Sequence, residues 1–399
     1  MTTGVTYPRG FTAAGVAAGM KPSGSLDLAL LLGGETTTAA GLCTTNRIVA
    51  APVTLTRKHL AAGGGRGVLV NSGQANAATG SRGDDDAAAA VAAAAAAVGV
   101  PATDLLACST GVIGEPLHMD RLLAGVPALA AALDADGGAS FAEAIMTTDT
   151  VAKEATADAG AFRVGGAAKG VGMIGPNLAT MLAFVTTDAP IAHQDLQLLC
   201  REALGPAFNA ITVDGCNSTN DTVLLFDGGA RGDAAVGPAD PEWSALEDGV
   251  ARVGRSLASQ LVHDGEGVTH VMIVDVVGAQ TEDAARTVAR AVADSPLVKT
   301  ALFGADPNPG RVLQAVGATD VVFDPAAVDV WIGPSRVVQR GVVPPAYFTE
   351  AGVRDAASEA MRRAEVALRI SLGDGPGTSR VLGGDLSYEY VRINGEYTT

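Results

Sequence analysis

Thr180 stands where a glycine-rich turn meets an apolar run. Lys169-Gly170-Val171-Gly172-Met173-Ile174-Gly175-Pro176-Asn177-Leu178-Ala179 leads into Thr180-Met181-Leu182-Ala183-Phe184-Val185. A threonine hydroxyl is a weak nucleophile until a base removes its proton; were Thr180 the first residue of a chain, its own α-amino group would be that base. Such an amine titrates near 8, close to working pH, whereas a lysine amine is almost wholly charged. The chain could generate this residue by cutting itself. The hydroxyl attacks the Ala179 carbonyl, the peptide nitrogen leaves as an amine, and water hydrolyses the resulting ester. Two plainer readings compete. A threonine opening an apolar run is commonly a strand former or a cap. Gly170 to Gly175 also spells the dinucleotide fingerprint G-x-G-x-x-G, but Pro176 and Asn177 follow at once. Asp188 also comes too early to be the ribose-binding acid expected about 20 residues on.

Acyl transfer through a threonine ester passes through a tetrahedral oxyanion that needs preorganised donors. The run Leu105-Leu106-Ala107-Cys108-Ser109-Thr110-Gly111-Val112-Ile113-Gly114 reads as a strand ending in a tight turn. The Thr110 hydroxyl and the Gly111 backbone N–H could supply two donors; an ordinary strand-end turn is the alternative. Other polar clusters are less specific. Ser218-Thr219-Asn220-Asp221-Thr222 is either a site wall or a hydrogen-bonded turn, and Glu266 is either an ammonium partner or a solvated loop acid.

The elements that must hold these groups alternate between strand and helix, an α/β arrangement of layers. Residues 8–60 read as β-rich, with apolar runs at Leu26 to Leu32, Thr36 to Leu42 and Val49 to Leu55. Gly67 to Val70 is a buried strand entering the polar loop Asn71 to Gly80. Asp84 to Asp86, an alanine tract, and then Gly99 and Pro101 mark a helix. Helices are also expected at Met119 to Leu133, interrupted by Pro127, and at Gln194 to Ala203, Glu242 to His263, Glu282 to Asp294 and Val353 to Arg363. Phe162 to Gly166 is a hairpin strand, and Phe208 to Leu225 reads as strand, polar turn, strand. Val271 to Val277, the helix from Glu282 and Ser295 to Ala301 read as a β-α-β passage. Further strands are expected near Val321 to Phe323, Val328 to Ile332, Val337 to Val342 and Val366 to Ile370.

The 399 residues can bury substantial cores, and a hydrophobic content of 48% argues for a globular chain. Acids outnumber bases 43 to 27, a net charge of −16 with no basic run, so nucleic acid and anionic membranes are not expected partners. The N-terminus lacks the basic and apolar regions of a secretory signal, and the alanine-rich stretch from Ala87 to Val98 is too short to span a bilayer. Cys43, Cys108, Cys200 and Cys216 are far apart, without zinc-type spacing, and read as buried free thiols in a cytoplasmic protein.

Lys169-Gly170 through Asp188 resembles the signature of the ornithine acetyltransferase (glutamate N-acetyltransferase) family of arginine biosynthesis, whose members cleave themselves before the Thr of an Ala-Thr-Met-Leu motif. Gly10 to Lys21, Asn46-Arg47, Asn71 to Ala77, Ser109-Thr110-Gly111, Met146-Thr147-Thr148-Asp149, Ser218 to Thr222, Glu266 to Thr269 and Asp385 to Thr399 are similar to the same family. The resemblance implies an N-terminal-nucleophile sandwich of the aminopeptidase and ornithine acetyltransferase kind, with a smaller C-terminal α/β domain over about 270–399. It implies cleavage between Ala179 and Thr180 into an α chain (1–179) and a β chain (180–399), associated as α2β2. Thr180 would be the nucleophile, Thr110 and Gly111 the oxyanion hole. Thr147, Lys169, Thr180, Glu266, Asn394 and Thr399 would contact substrates. The implied reaction moves an acetyl group from N-acetylornithine to glutamate through acetyl-Thr180, with no metal or bound cofactor and with acetyl-CoA as a candidate co-substrate. One departure stands out: Pro309 occupies the Trp position of the family's Asp-Pro-Asn-Trp-Gly-Arg turn. Three alternatives stay open: a self-processing aminopeptidase or amidohydrolase with the same nucleophile, a relative in specialised β-lactam-type metabolism, and an uncleaved nucleotide-binding module.

Overall fold

The computed structural model describes residues 4–175, 181–228, 235–350 and 352–396. It divides into two compact units. One comprises the chain up to Asn209 together with Cys216–Leu261, and the other Ala210–Gly215 together with the chain from Val262 on.

In the first unit, β1 (Thr12–Val16), β2 (Leu28–Leu32), β4 (Gly67–Gln74) and β5 (Leu105–Val112) form one sheet in the order β1-β2-β4-β5. A second sheet runs β3 (Ala39–Cys43), β10 (Thr222–Asp227), β8 (Leu182–Thr187), β7 (Phe162–Lys169), β6 (Lys153–Ala159). Side chains alternate across a strand, and here that alternation builds two cores. Ala29, Leu31, Val68, Val70, Leu106 and Cys108 share a core with Phe184, Leu224 and Phe226 of the second sheet. Their neighbours Leu28, Leu30, Leu69, Leu105 and Ala107 instead face helices. Those helices are α2 (Gly80–Val98) and α3 (Met119–Ala131), which follow α1 (Ala51–Ala61) and precede the short α4 (Gly138–Ala144), α5 (His193–Leu199) and α6 (Gly205–Phe208). On the outer face of the second sheet lies α7 (Trp243–His263). A Cβ at Gly166 would lie 3.0 Å from Val253 and from Leu257, so the sheet glycine lets this helix approach. The result is helices, sheet, sheet, helix, the sandwich implied by the family resemblance.

In the second unit, β13 (Ser335–Val338), β12 (Asp329–Ile332), β14 (Glu365–Ser371), β11 (Val271–Gly278), β15 (Gly375–Gly384) and β9 (Ile211–Thr212) form one mixed sheet in that order. Met272, Val274 and Val276 of β11 and Val366, Leu368 and Ile370 of β14 pack against Val288 and Val292 of α8 (Glu282–Asp294). Thr281 caps α8 by accepting the Ala284 amide.

Several segments differ from the sequence reading. Val49 to Leu55, expected as strand, enters α1: Pro52 sits in its first turn, where a fixed φ and a missing N–H suit a helix start. Ser295 to Ala301 is also helical, because Ser295 accepts the Val298 amide and Pro296 opens α9 (Pro296–Phe303). Val321 to Phe323 forms no strand, β15 went unread, and α3 runs on through Pro127. Ile211–Thr212 and β10 are not a hairpin: β9 joins the second unit's sheet and β10 the first unit's. Cys108 and Cys200 are buried, but Cys43 is half-buried and Cys216 exposed.

Candidate active site

Lys169 is the last residue of β7 and is paired with Leu182 at the start of β8, so the glycine-rich turn and Thr180 lie on the connection between neighbouring strands. The Lys169 side chain is 3% exposed. Its Nζ donates to Thr110 Oγ1 at 3.0 Å and to Thr147 Oγ1 at 2.7 Å. A hydroxyl that accepts from an ammonium keeps its own proton to donate elsewhere. Lys169 therefore orients Thr110 as a donor.

Thr110 and Gly111 lie near the end of β5, level with Ser72 and Gly73 of the parallel β4. Gly111 has φ of 129°, and a Cβ there would fall 2.2 Å from the Gly73 carbonyl. Only glycine fits so close a backbone approach. The surrounding loops are tied together. Ser109 Oγ donates to Asn71 Oδ1 at 2.6 Å, and Asn220 Nδ2 donates to the carbonyls of Ala75 at 2.6 Å and Ser109 at 2.9 Å. Polar groups locked in this way present donors without reorganisation, as an oxyanion requires.

Asp149 organises the other side. Its Oδ1 accepts from Lys153 Nζ at 2.7 Å and from the Gly170 amide at 2.8 Å, and its Oδ2 accepts from the Thr147 amide at 3.0 Å. Burial alone would raise this carboxyl. The charges of Lys169 and Lys153 and the Gly170 N–H outweigh it and hold the group below its ordinary value. Asp221 lies beside the start of β8, with Oδ1 accepting the Met181 amide at 3.1 Å. Burial pushes its carboxyl well above the carboxylate range, against the pull of the Met181 amide, of Ser218 and of the Lys169 charge.

In the second unit, Glu266 is buried and its Oε2 accepts from Asn394 Nδ2 at 2.9 Å. Asn394 rides on the helix Tyr388–Glu396, a helix absent from the sequence reading of the tail. Ser387 fixes its start: Ser387 Oγ accepts the Glu389 and Tyr390 amides and donates to the Gly267 carbonyl. Pro309 fits its turn. It opens α10 (Pro309–Gly317) behind Asn308, whose side chain accepts the Arg311 amide. An N–H is not needed at that position.

Of the residues named from sequence, Thr110, Gly111, Thr147 and Lys169 come together in the first unit, and Glu266 and Asn394 meet in the second. Ala179, Thr180 and Thr399 lie outside the described residues. Sequence reasoning assigns no individual role to Asp149 or Lys153 and reads Asp221 only as one member of the Ser218 to Thr222 cluster. The available signal was an acid and a lysine four residues apart flanking a threonine-rich turn. Among the described residues, no group of His, Cys, Asp or Glu side chains could hold a metal ion, and no helix is long and apolar enough to cross a membrane.

Residues 12–399 match the model of the ArgJ family. The chain is 48% identical, over 99% of its length and 95% of the relative's, to "Arginine biosynthesis bifunctional protein ArgJ" of Parasynechococcus marenigrum. It is 46% identical to the protein of that description from Symbiobacterium thermophilum, over 99% of this chain and 98% of the relative. Among solved structures, the arginine biosynthesis bifunctional protein ArgJ of Bacillus halodurans aligns with a TM-score of 0.51 at 36% identity, covering 55% of this chain and all of that one.

Proposed function

The chain belongs to the ArgJ family, and on that footing we propose that it transfers an acetyl group from N-acetylornithine to glutamate through an ester on Thr180. The observation that carries this reading is the double hydrogen bond of Lys169 to Thr110 and Thr147 at the mouth of the loop bearing Thr180. Cleavage before Thr180 frees an α-amine that takes the Oγ proton as Oγ attacks the acetyl carbonyl. The oxyanion formed is held by the Thr110 hydroxyl and the Gly111 N–H. Collapse expels ornithine, which leaves with the proton, and glutamate then attacks acetyl-Thr180 through the same oxyanion site. Lys169 and Thr147 hold substrate polar groups beside it, and Glu266 with Asn394 and Thr399 serves the substrate amine.

The relatives' description as bifunctional favours acetyl-CoA as a second acyl donor, used as a co-substrate and not held as a cofactor. The two cleaved chains associate as α2β2 in the cytoplasm on this reading. The test is an intact-mass spectrum of the purified protein under denaturing conditions, followed by incubation with N-acetylornithine with and without glutamate. Two chains divided after residue 179, and N-acetylglutamate formed only when glutamate is present, are expected. Ornithine release to water at the same rate without glutamate would instead favour the hydrolase, and an intact, inactive chain would end the reading.

A further inference from the structure

Lys21 lies on the loop between β1 and β2, and that loop is pinned beside both hydroxyl partners of Lys169. On one side, Gln74 Nε2 donates to the Met20 carbonyl at 3.1 Å, and a Cβ at Gly73 would lie 3.1 Å from the same oxygen. Gly73 is the register partner of Gly111, and Ser72 that of Thr110. On the other side, the Ser72 N–H donates to the Asp27 carbonyl at 2.9 Å, while Ser72 Oγ donates at 2.6 Å to the carbonyl of Ala144, just ahead of Thr147. The loop is also braced from within. Asp27 is fully buried, and its carboxyl accepts the amides of Ala18 at 2.6 Å and of Lys21 at 3.0 Å.

The Lys21 side chain is half-buried, and its Nζ donates to the Leu26 carbonyl at 2.7 Å. An ammonium carries three donors, and this one forms no ion pair among the described residues. The charges that reach it are those of Asp27, Lys169, Asp149 and Glu143. Asp27 is committed to the loop amides, Asp149 to Lys153, Gly170 and Thr147, and Glu143 is exposed. Burial, foremost, pulls the Lys21 amine below its ordinary value; Asp27 opposes this and the Lys169 charge adds to it. A cation partly out of water near a second cation is stabilised by an anion that accepts its hydrogen bonds. N-acetylornithine and glutamate differ at the ends of their side chains but share an α-carboxylate, a few bonds from the nitrogen that gives up or receives the acetyl group. The Lys21 loop packs against the strand ends that carry Thr110 and Gly111, so it serves the group close to the reacting atoms and not the distant end of a side chain. We propose that Lys21 is a substrate-binding residue whose ammonium holds, beside Lys169, the α-carboxylate that donor and acceptor have in common. This rests on the acetyltransferase reading.

The test compares N-acetylornithine with its α-carboxamide as acetyl donor, at saturating glutamate, on wild type, Lys21→Met and Lys21→Arg. Intact mass and thermal melting are recorded for each. Wild type is expected to prefer the carboxylate by about tenfold or more in kcat/KM, the worth of a charged hydrogen bond. Lys21→Met loses most of that preference. Its kcat/KM falls by a similar factor on the carboxylate, mainly through KM, and stays within about twofold on the amide. KM for glutamate rises as well, because one subsite serves both amino acids. Lys21→Arg keeps the charge and recovers part of the preference. An equal loss on carboxylate and amide would make Lys21 purely structural and overturn the proposal. So would a loss confined to glutamate, which would move the contact to its side-chain carboxylate. A wild type indifferent to the amide would overturn it without any variant. Should Lys21→Met melt early, the same comparison is read on Lys21→Gln, which retains a donor for the Leu26 carbonyl. All of these leave the acetyltransferase standing; a wild type that moves no acetyl group from N-acetylornithine to glutamate would remove that reading and the proposal with it.

Discussion

Lys153 Nζ lies 2.7 Å from Asp149 Oδ1, and neither side chain has any exposed surface. One such partner without the other leaves an uncompensated charge in the interior, at a cost of about 3–5 kcal/mol. Lys153→Met is therefore expected to lower unfolding stability by that order in urea titrations. In combination with Asp149→Asn the loss should be smaller than the sum of the two single changes, because the stranded charge is gone. The Asp149 carboxyl titrates below its unfolded value of 3.8, so its stabilisation is present above that pH and disappears as the pH falls through the folded value. Acid unfolding of Asp149→Asn should accordingly be less steep below about pH 4.

Thr110→Ala removes a hydroxyl aimed by Lys169 and leaves the Gly111 N–H in place. Loss of one oxyanion donor costs about 100- to 1,000-fold in kcat. Steady-state kinetics should show that drop with KM nearly unchanged, and Thr110→Ser should recover much of it. A rise in KM at constant kcat would assign Thr110 to substrate binding alone.

Glu266→Gln keeps an oxygen for Asn394 Nδ2 but gives up the charge that would meet a substrate ammonium. A charged hydrogen bond contributes about 1.5–3 kcal/mol. KM for N-acetylornithine or glutamate should rise tenfold or more by that estimate, while intact mass shows normal cleavage. Unchanged constants for both substrates would make the Glu266–Asn394 contact purely structural.

The second unit carries its own pH signature. Burial pushes the Lys299 amine down to about 8 from an ordinary 10.5, against the opposing pull of Asp294, Asp214 and Asp385, and Nζ donates to the Gly384 carbonyl. Between those two values the unfolded chain binds more protons than the folded one, so stability should rise with pH from about 8 to 10.5. Chemical denaturation across that range should show the slope in the wild type and a flatter curve in Lys299→Met.

Some of this was legible in the sequence for identifiable reasons. The α8 boundaries, Glu282 to Asp294, follow from a capping threonine and two acids in the first turn. The sandwich was implied by the family resemblance; Leu28 to Leu32 reads only as an apolar run, because successive side chains enter two different cores and both faces are buried. Val49 to Leu55 misled because a short apolar run carries no period of its own, and the decisive residue, Pro52, acts through its place in the first turn. The site was legible as residue types but not as geometry. Thr110 is a donor because of Lys169, which is 59 positions away in the chain. Asp149 looks like a turn acid until the Gly170 amide, 21 positions away, is seen to need it.

The order of strands in the second sheet of the first unit, β3-β10-β8-β7-β6, has a further consequence for how the protein ages. On the proposal that the bond before Thr180 is cut, β3, β6 and β7 would belong to one polypeptide and β8 and β10 to the other, interleaved in a single hydrogen-bonded layer. Folding before the cut is a first-order event, whereas recovery after it is a meeting of two separate molecules. The mature protein would then carry a memory of a connection it no longer has. Its renaturation yield should depend on concentration, and its lifetime should be set by how slowly the sheet opens, not by how readily it reforms.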